Sequence, residues 1–243
     1  MNLKLKILVI VPAFNEQDCI DQVILDLKKT NSDWDVLIVN DGSKDNTSQV
    51  AKSTNKAKVI DLVSNLGIGG AVQTGFKYAE RNGYDIALQF DGDGQHISAE
   101  IPKLIAPIIS KEVDMVIGSR FAITHSGWKS SVPRRMGIFV FTILNRLLIR
   151  QRITDSTSGF RAYNKETIKF LSAHYPMDYP EPEAIILLGK NGFKMKEISA
   201  DMKARETGTS SINYRRAIYY MIKVVLAILM TSIRPKIRKG VKK

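Results

Sequence analysis

Five short, nearly continuous apolar runs, each followed by a polar turn and most by a stretch of helical periodicity, constrain this chain more than any other feature. The runs cover residues 7–11, 36–39, 59–62, 86–90 and 115–117, and helical patterns cover 18–29, 45–53, 69–81 and 99–110. Strands apolar on both sides must be covered on both faces. Alternation with helices therefore predicts an α/β sandwich built on a mostly parallel sheet. Ligands of such sheets collect beyond the carboxyl ends of the strands. Five polar motifs sit there, at 12–16, 40–43, 65–70, 91–95 and 118–120, which points to one shared site.

After residue 120 the alternation stops. Residues 134–150 read as a helix with an apolar face, 155–163 as a strand, and 180–190 as a helix in which Pro182 suits the first helical position. A helix from 166, a strand at 193–198, a loop at 205–211 and a closing helix from about 214 complete the pattern. The division expected is a main domain over 1–211 and a membrane-associating basic and apolar tail over 212–243. Residues 3–11 lead into Pro12 and read as a first strand, not a signal peptide. The single cysteine, Cys19, excludes an internal disulfide.

The motif with the most chemistry is Asp91-Gly92-Asp93-Gly94-Gln95, at the end of the fourth apolar run. Two carboxylates one residue apart raise each other's pKa unless a cation lies between them. Mg²⁺ or Mn²⁺ suits oxygen ligands and shares them with a substrate's phosphates. Asp-Gly-Asp-Gly is also good turn chemistry. A calcium loop of the EF-hand type is a further alternative, but it would need Asp in place of Gln89 and a helix where a strand is expected. Asn65-Leu66-Gly67-Ile68-Gly69-Gly70 lacks the Lys-Ser/Thr of a P-loop, so its glycines are expected to let the backbone pass close to a ligand. Met177, Met195 and Met202 read as core filler.

Net charge is +12, yet it is confined to two stretches. Residues 121–154 hold six Lys or Arg, residues 207–243 hold nine, and neither stretch holds an acid. Both also contain apolar runs, at 136–149 and 217–233. Cations flanking an apolar helix suit an anionic membrane surface, whereas nucleic acid would not require the apolar runs. At 1.5 Å per residue the second run reaches about 25 Å as a helix, short of the ~30 Å hydrocarbon core, and Lys223 interrupts it. It is expected to lie in the leaflet or to pack on a small integral membrane protein or a second copy of the chain.

Taken in order from Pro12 to about Ser211, these motifs resemble the family 2 glycosyltransferases, which have the GT-A (Rossmann-like) fold and use nucleotide-sugar donors. The resemblance implies that Pro12, Ala13, Asn15, Glu16, Asp41, Gly67 and Asp91 hold the nucleotide. It also implies that Asp91, Asp93 and Gln95 hold Mg²⁺ or Mn²⁺. The second half is similar to the dolichol- and polyprenyl-phosphate branch. Its counterparts are Gly118-Ser119-Arg120, Arg134-Arg135, Asp155-Ser156-Thr157-Ser158-Gly159-Phe160-Arg161 and Arg205-Glu206-Thr207-Gly208-Thr209-Ser210. In that branch Arg120, Arg134 and Arg205 would bind the acceptor phosphate, and Arg's planar fork suits phosphate oxygens.

The implied activity is metal-dependent, inverting transfer of a hexose from a UDP-sugar to undecaprenyl or another polyprenyl phosphate at the cytoplasmic membrane face. Asp91, Asp93 and Arg120 would carry the catalysis. A phosphate acceptor is already anionic and needs no general base. Glu183 would take that role only if the acceptor were a hydroxyl, and otherwise reads as a first-turn acid favoured by the helix dipole. The alternatives are a hydroxyl-glycosylating enzyme of the same fold and a non-catalytic nucleotide or calcium binder at the membrane surface.

Overall fold

The computed structural model describes residues 5–120, 132–203 and 214–237. Seven strands form one sheet: β1 (Ile7–Ala13), β2 (Asp35–Asn40), β3 (Lys58–Asp61), β4 (Ile86–Gln89), β5 (Met115–Ser119), β6 (Arg161–Asn164) and β7 (Met195–Ser199). Their spatial order is β3-β2-β1-β4-β6-β5-β7. The first four pair in parallel, as does β5 with β7, while β6 runs antiparallel to both β4 and β5. The mostly parallel α/β sheet expected from the apolar runs is present. Its one reversal has a functional result. The amino end of β6 lies on the same edge as the carboxyl ends of all the other strands, so the turn before β6 joins the site.

That turn corrects one expectation. Residues 155–163 do not form one strand, because 155–160 is held by side chains instead of a ladder. Ser158 Oγ donates to the Gly118 carbonyl (2.6 Å), and the Asn145 amide donates to Ser156 Oγ (2.9 Å). The ladder to β4 runs from Arg161 onward, and Phe160 adds one backbone bond to β5, its carbonyl accepting the Gly118 N–H (2.8 Å).

Alternating side chains of the strands feed two cores, one on each face. Leu8, Ile10, Leu37 and Val39 pack on one face with α3 (Gly67–Arg81), α6 (Lys165–His174) and α7 (Pro180–Lys190). Val9, Val11 and Ile38 pack on the other with α1 (Ile20–Thr30) and α4 (Ile101–Ile109). This is the two-sided burial that near-continuous apolar strands require. Contact is tightest where α3 crosses β1. A Cβ on Gly75 would lie 2.3 Å from Ile10 Cγ2, so only glycine permits this approach.

The short α2 (Thr47–Ser53) follows β2, and α5 (Val132–Ile149) and α8 (Tyr214–Ile233) complete the fold. Helix α7 spans Pro180–Lys190 as expected, but its first residue is Pro180 and Pro182 lies two positions in. Proline has no N–H to lose at the first helical position, and Tyr179 stands before it as the cap residue. Helix α8 sends Val224 and Ile228, both fully buried, into the same core as α7. Its opposite face exposes Tyr219, Ile222, Leu226, Met230 and Ile233, spaced three or four residues apart. Helix α5 is two-faced in the same way, burying Phe141 and Asn145 and exposing Phe139, Ile143 and Leu147. Among the described residues no helix is long and apolar enough to cross a membrane.

Candidate active site

The loops after β1 and β2 are stitched together by their polar residues. Asn15 has a left-handed backbone (φ 57°), its N–H donates to Ser43 Oγ (2.9 Å), and its side-chain oxygen accepts from the Lys44 N–H (2.9 Å). The Glu16 N–H donates to Thr47 Oγ1 (2.8 Å). Asn15 therefore holds loop to loop, and Ser43 serves it instead of capping α2, whose cap position is Asn46. Asp41 is almost fully buried, and its Oδ1 accepts from the Leu66 N–H (2.7 Å), which fixes the start of the glycine-rich segment.

A cleft of about 180 Å³ opens between these loops, lined by Pro12, Ala13, Phe14, Glu16, Asp41 and Ile68 on one side and by Asp91 and Asp93 on the other. It brings Pro12, Ala13, Glu16, Asp41, Asp91 and Asp93 together, as the motifs implied. Asn15 and Gly67 do not line it. The glycines act within the protein: Gly67 supplies a positive φ of 76°, and Gly69 lets the backbone of Met177 pass where a Cβ would lie 2.6 Å from its carbonyl oxygen. Met177 itself is half exposed and fills no core, whereas Met195 and Met202 pack against the two cores. Burial, then the Glu16 carboxylate, push the Cys19 thiol up to about 12, so it is no thiolate nucleophile at neutral pH.

Two carboxylates face the cleft from the turn after β4. Burial, and next the adjacent Asp93 carboxylate, push Asp91 up to about 6, although a third of its side chain is exposed. Asp93 accepts from Gln95 twice, from its backbone N–H (3.1 Å) and its side-chain amide (2.5 Å). The amide nitrogen of Gln95 is thus turned to Asp93, which leaves its carbonyl oxygen as the donor it can offer a cation. No cluster of three His, Cys, Asp or Glu exists among the described residues. A hard divalent ion would have two carboxylates and one amide oxygen here, and would share its remaining positions with ligand phosphates. Two carboxylates lining one cleft, with the Gln95 amide beside them, are the oxygen-donor set that fits such an ion.

Asp91 is tightly enclosed. A Cβ on Gly159 would lie 2.7 Å from its Oδ2 and 2.8 Å from its Oδ1. His96, buried, accepts the Asp91 backbone N–H at Nδ1 (3.0 Å), with Nε2 3.5 Å from Oδ2. Burial pulls the His96 ring down to about 4, so it is neutral at physiological pH. Arg161 is completely buried on β6. Its guanidinium donates to three backbone carbonyls, those of Ser156, Ser158 and Glu181, at 2.6 to 2.9 Å.

Arg120, at the end of β5, is held rather than loose. Nε and Nη2 donate to the two oxygens of Asp155 (2.9 and 2.7 Å), and Nη2 also reaches Thr157 Oγ1 (2.9 Å). Asp155 is buried, which alone would raise its pKa. The Arg120 hydrogen bonds and charge outweigh that and hold it below the usual carboxylate range. Glu197 of β7 orients the turn in its place by accepting the N–H groups of Thr154 and Asp155. Arg120 presents a quarter of its side chain to solvent on the edge that carries Asp91. The side chain of Arg134 and the whole of Arg205 lie outside the described residues.

Glu183 does not reach the cleft, which corrects the base expected there for a hydroxyl acceptor. It is 7 % exposed, and its carboxylate accepts from the Tyr179 N–H (3.1 Å) and from the Thr231 hydroxyl of α8 (2.9 Å). Residues two apart on a helix do not share a face. Glu181, two residues earlier, is the one that adjoins Asp91, Arg161 and the Gln89 amide, and burial raises its pKa. Sequence assigned no role to Glu181, His96, Gly159 or Asp155, although Asp155 and Gly159 lie within the motif at 155–161.

Residues 8–171 match the model for "Glycosyl transferase family 2". The chain belongs to family 2 of the glycosyltransferases. It is 35 % identical over 210 residues to the UDP-N-acetylglucosamine–dolichyl-phosphate N-acetylglucosaminyltransferase of Methanococcus voltae, a match covering 79 % of this chain and 83 % of the relative. It is also 30 % identical over 170 residues to the undecaprenyl-phosphate mannosyltransferase of Micrococcus luteus, covering 68 % and 69 %. These relatives come from the polyprenyl-phosphate branch that the second half of the sequence resembles. The glucosyl-3-phosphoglycerate synthase of Mycobacterium tuberculosis, solved with Mn²⁺, UDP-glucose and phosphoglyceric acid, superposes with a TM-score of 0.70. At 17 % identity over 95 % of this chain and 81 % of that one, it shares the GT-A fold.

Proposed function

We propose that this glycosyltransferase moves a hexose or its N-acetyl derivative from a UDP-sugar to polyprenyl phosphate, with inversion, at the cytoplasmic face of the membrane. The lipid-linked sugar would then serve as a donor for cell-envelope glycans. The observation that carries the reading is the shared edge: the Asp41 cleft, the Asp91–Asp93 pair and Arg120 all open on it. Solved glucosyl-3-phosphoglycerate synthase holds Mn²⁺ and UDP-glucose, and relatives of this chain are named for dolichyl and undecaprenyl phosphate.

In this reading the cleft residues Pro12, Ala13, Glu16 and Asp41 receive the nucleotide, and Asn15 and Gly67 shape the loops around it. Asp91, Asp93 and Gln95 hold Mg²⁺ or Mn²⁺, which supplies positive charge to the departing diphosphate. Arg120, with Arg134 and Arg205, draws the acceptor phosphate to the anomeric carbon. A phosphate oxygen forms the new bond to that carbon as its bond to the UDP oxygen breaks. No proton has to be removed from the acceptor. The exposed apolar stripes of α5 and α8, with Arg234 and Lys236 beyond α8, rest on an anionic leaflet.

A second reading, transfer to a hydroxyl, draws on Glu181, whose raised pKa and place beside Asp91 suit a base. The two readings separate in one assay. Transfer from UDP-sugars to undecaprenyl phosphate and to undecaprenol is measured with Mn²⁺, with excess EDTA, and with the Asp93→Asn variant. Transfer to the phosphate only, lost in EDTA and in Asp93→Asn, supports the first reading. Transfer to undecaprenol supports the second, and full activity in EDTA removes the metal from both.

A further inference from the structure

We propose that His96 is a positioning residue for Asp91, holding it in the geometry that receives the metal ion; this rests on the reading of Asp91 as a ligand. The ring itself is fixed by packing. It stacks on Phe160 with centroids 4.8 Å apart and planes 20° apart, and it meets Phe90 edge-on at 5.2 Å. Phe160 belongs to the turn before β6, and its carbonyl accepts the Gly118 N–H (2.8 Å) from β5. The imidazole is therefore anchored to two strands as well as to its own turn.

From that position it addresses Asp91 at two points. Nδ1 accepts the Asp91 backbone N–H at 3.0 Å, and the Nε2 edge of the ring lies against the carboxylate, 3.5 Å from Oδ2 of the same residue. The ring thus satisfies a main-chain donor of Asp91 and packs against its carboxylate. Gly159 closes the other side of that carboxylate. Asp91 is left little room to rotate, and a metal ligand held by groups behind it binds more tightly than a free one, commonly by 10- to 100-fold. The turn is tied again beyond His96, where Lys203 N–H donates to the Gln95 carbonyl (2.8 Å) and Met202 bridges to His96. His96 is no ligand in this scheme and touches no substrate.

Isosteres separate positioning from simple packing. Asn places an acceptor where Nδ1 stands, whereas Phe keeps the stacked ring and has no acceptor. Mn²⁺ binding to the full chain with UDP present is measured by electron paramagnetic resonance of the free ion, beside a thermal melt of each variant. Expected are a roughly tenfold weaker Mn²⁺ affinity in His96→Phe with a melt close to wild type, and recovery of most of that loss in His96→Asn. Wild-type affinity in His96→Phe overturns the inference. So does a loss in His96→Asn as large as that in His96→Phe, since packing alone would then explain both. Wild-type protein that binds no Mn²⁺ overturns the metal reading, and the inference falls with it.

Discussion

Gly159→Ala tests the preorganisation of Asp91 most sharply, because the glycine is needed for space and not for its backbone. Its φ is not in the left-handed region, so alanine brings no conformational strain there. The new methyl would stand 2.7 and 2.8 Å from the two carboxylate oxygens, where ordinary contact begins at 3.4 Å. Asp91 must therefore retreat by roughly 0.7 Å, or the turn must open by as much. Asp91 is enclosed by Gly159 and His96 and exposed only where it lines the cleft, so the displacement is taken up on that side and the fold should lose little stability. A ligand displaced on this scale should cost more in rate, since misplacement of about 1 Å commonly costs about 100-fold. We expect kcat/KM to fall 10- to 100-fold, about 1.4–2.7 kcal/mol in the barrier, with a melt within a few degrees of wild type. Steady-state transfer from UDP-sugar to polyprenyl phosphate at saturating Mn²⁺ measures the first quantity and scanning calorimetry the second. Wild-type turnover in Gly159→Ala would falsify the claim that Asp91's exact position matters.

Three further outcomes follow from the same geometry. Asp155→Asn should lower stability above about pH 4 and flatten the acid limb of stability against pH. Asp155 is depressed in the folded state, so its contribution is present above the unfolded carboxyl value near 3.8 and is lost as pH falls through the folded value; an unchanged acid limb by urea titration would remove that pair from the account. Glu183→Ala should destabilise the protein by about 2–4 kcal/mol, by stranding the Thr231 hydroxyl and the Tyr179 N–H in a buried site, while Glu183→Gln keeps most turnover; a collapse of kcat in Glu183→Gln with an unaltered melt would restore it as a base. Ile222→Asp with Leu226→Asp should release the protein from anionic liposomes without altering UDP binding, and continued co-sedimentation would move the membrane contact to α5.

What the sequence revealed and what it hid have physical causes. Strands β1, β2 and β4 were legible because burial on both faces leaves a continuous apolar run, the half-buried edge strand β3 through its short Val59–Ile60 pair, and helices because amphipathic spacing fixes one face. The carboxylate pair was legible because both residues fall within one turn. Strand β6 was blurred because it is four residues long and carries a buried Arg161, whose partners are backbone carbonyls from three different positions. Glu181 and Glu183 looked alike as first-turn acids; only packing of α7 sends one toward Arg161 and Asp91 and the other to Thr231 of α8. Gly159 and His96 matter through residues 68 and 5 positions away or packed across strands, and no local pattern encodes such contacts. Arg120 was found by motif, but its committed bidentate partner, Asp155, lies 35 residues on.

The central claim is tested most directly by the mass of the lipid product. Purified protein is incubated with undecaprenyl phosphate, Mn²⁺ and a panel of UDP- and GDP-sugars, and the lipids are analysed by mass spectrometry. The account predicts, from a UDP-sugar, a product heavier than the acceptor by one sugar residue and carrying a single phosphate. A product with two phosphates would mean that the sugar moved with its own phosphate. That result, a sugar attached to an unphosphorylated lipid, or no lipid product from any donor would contradict it.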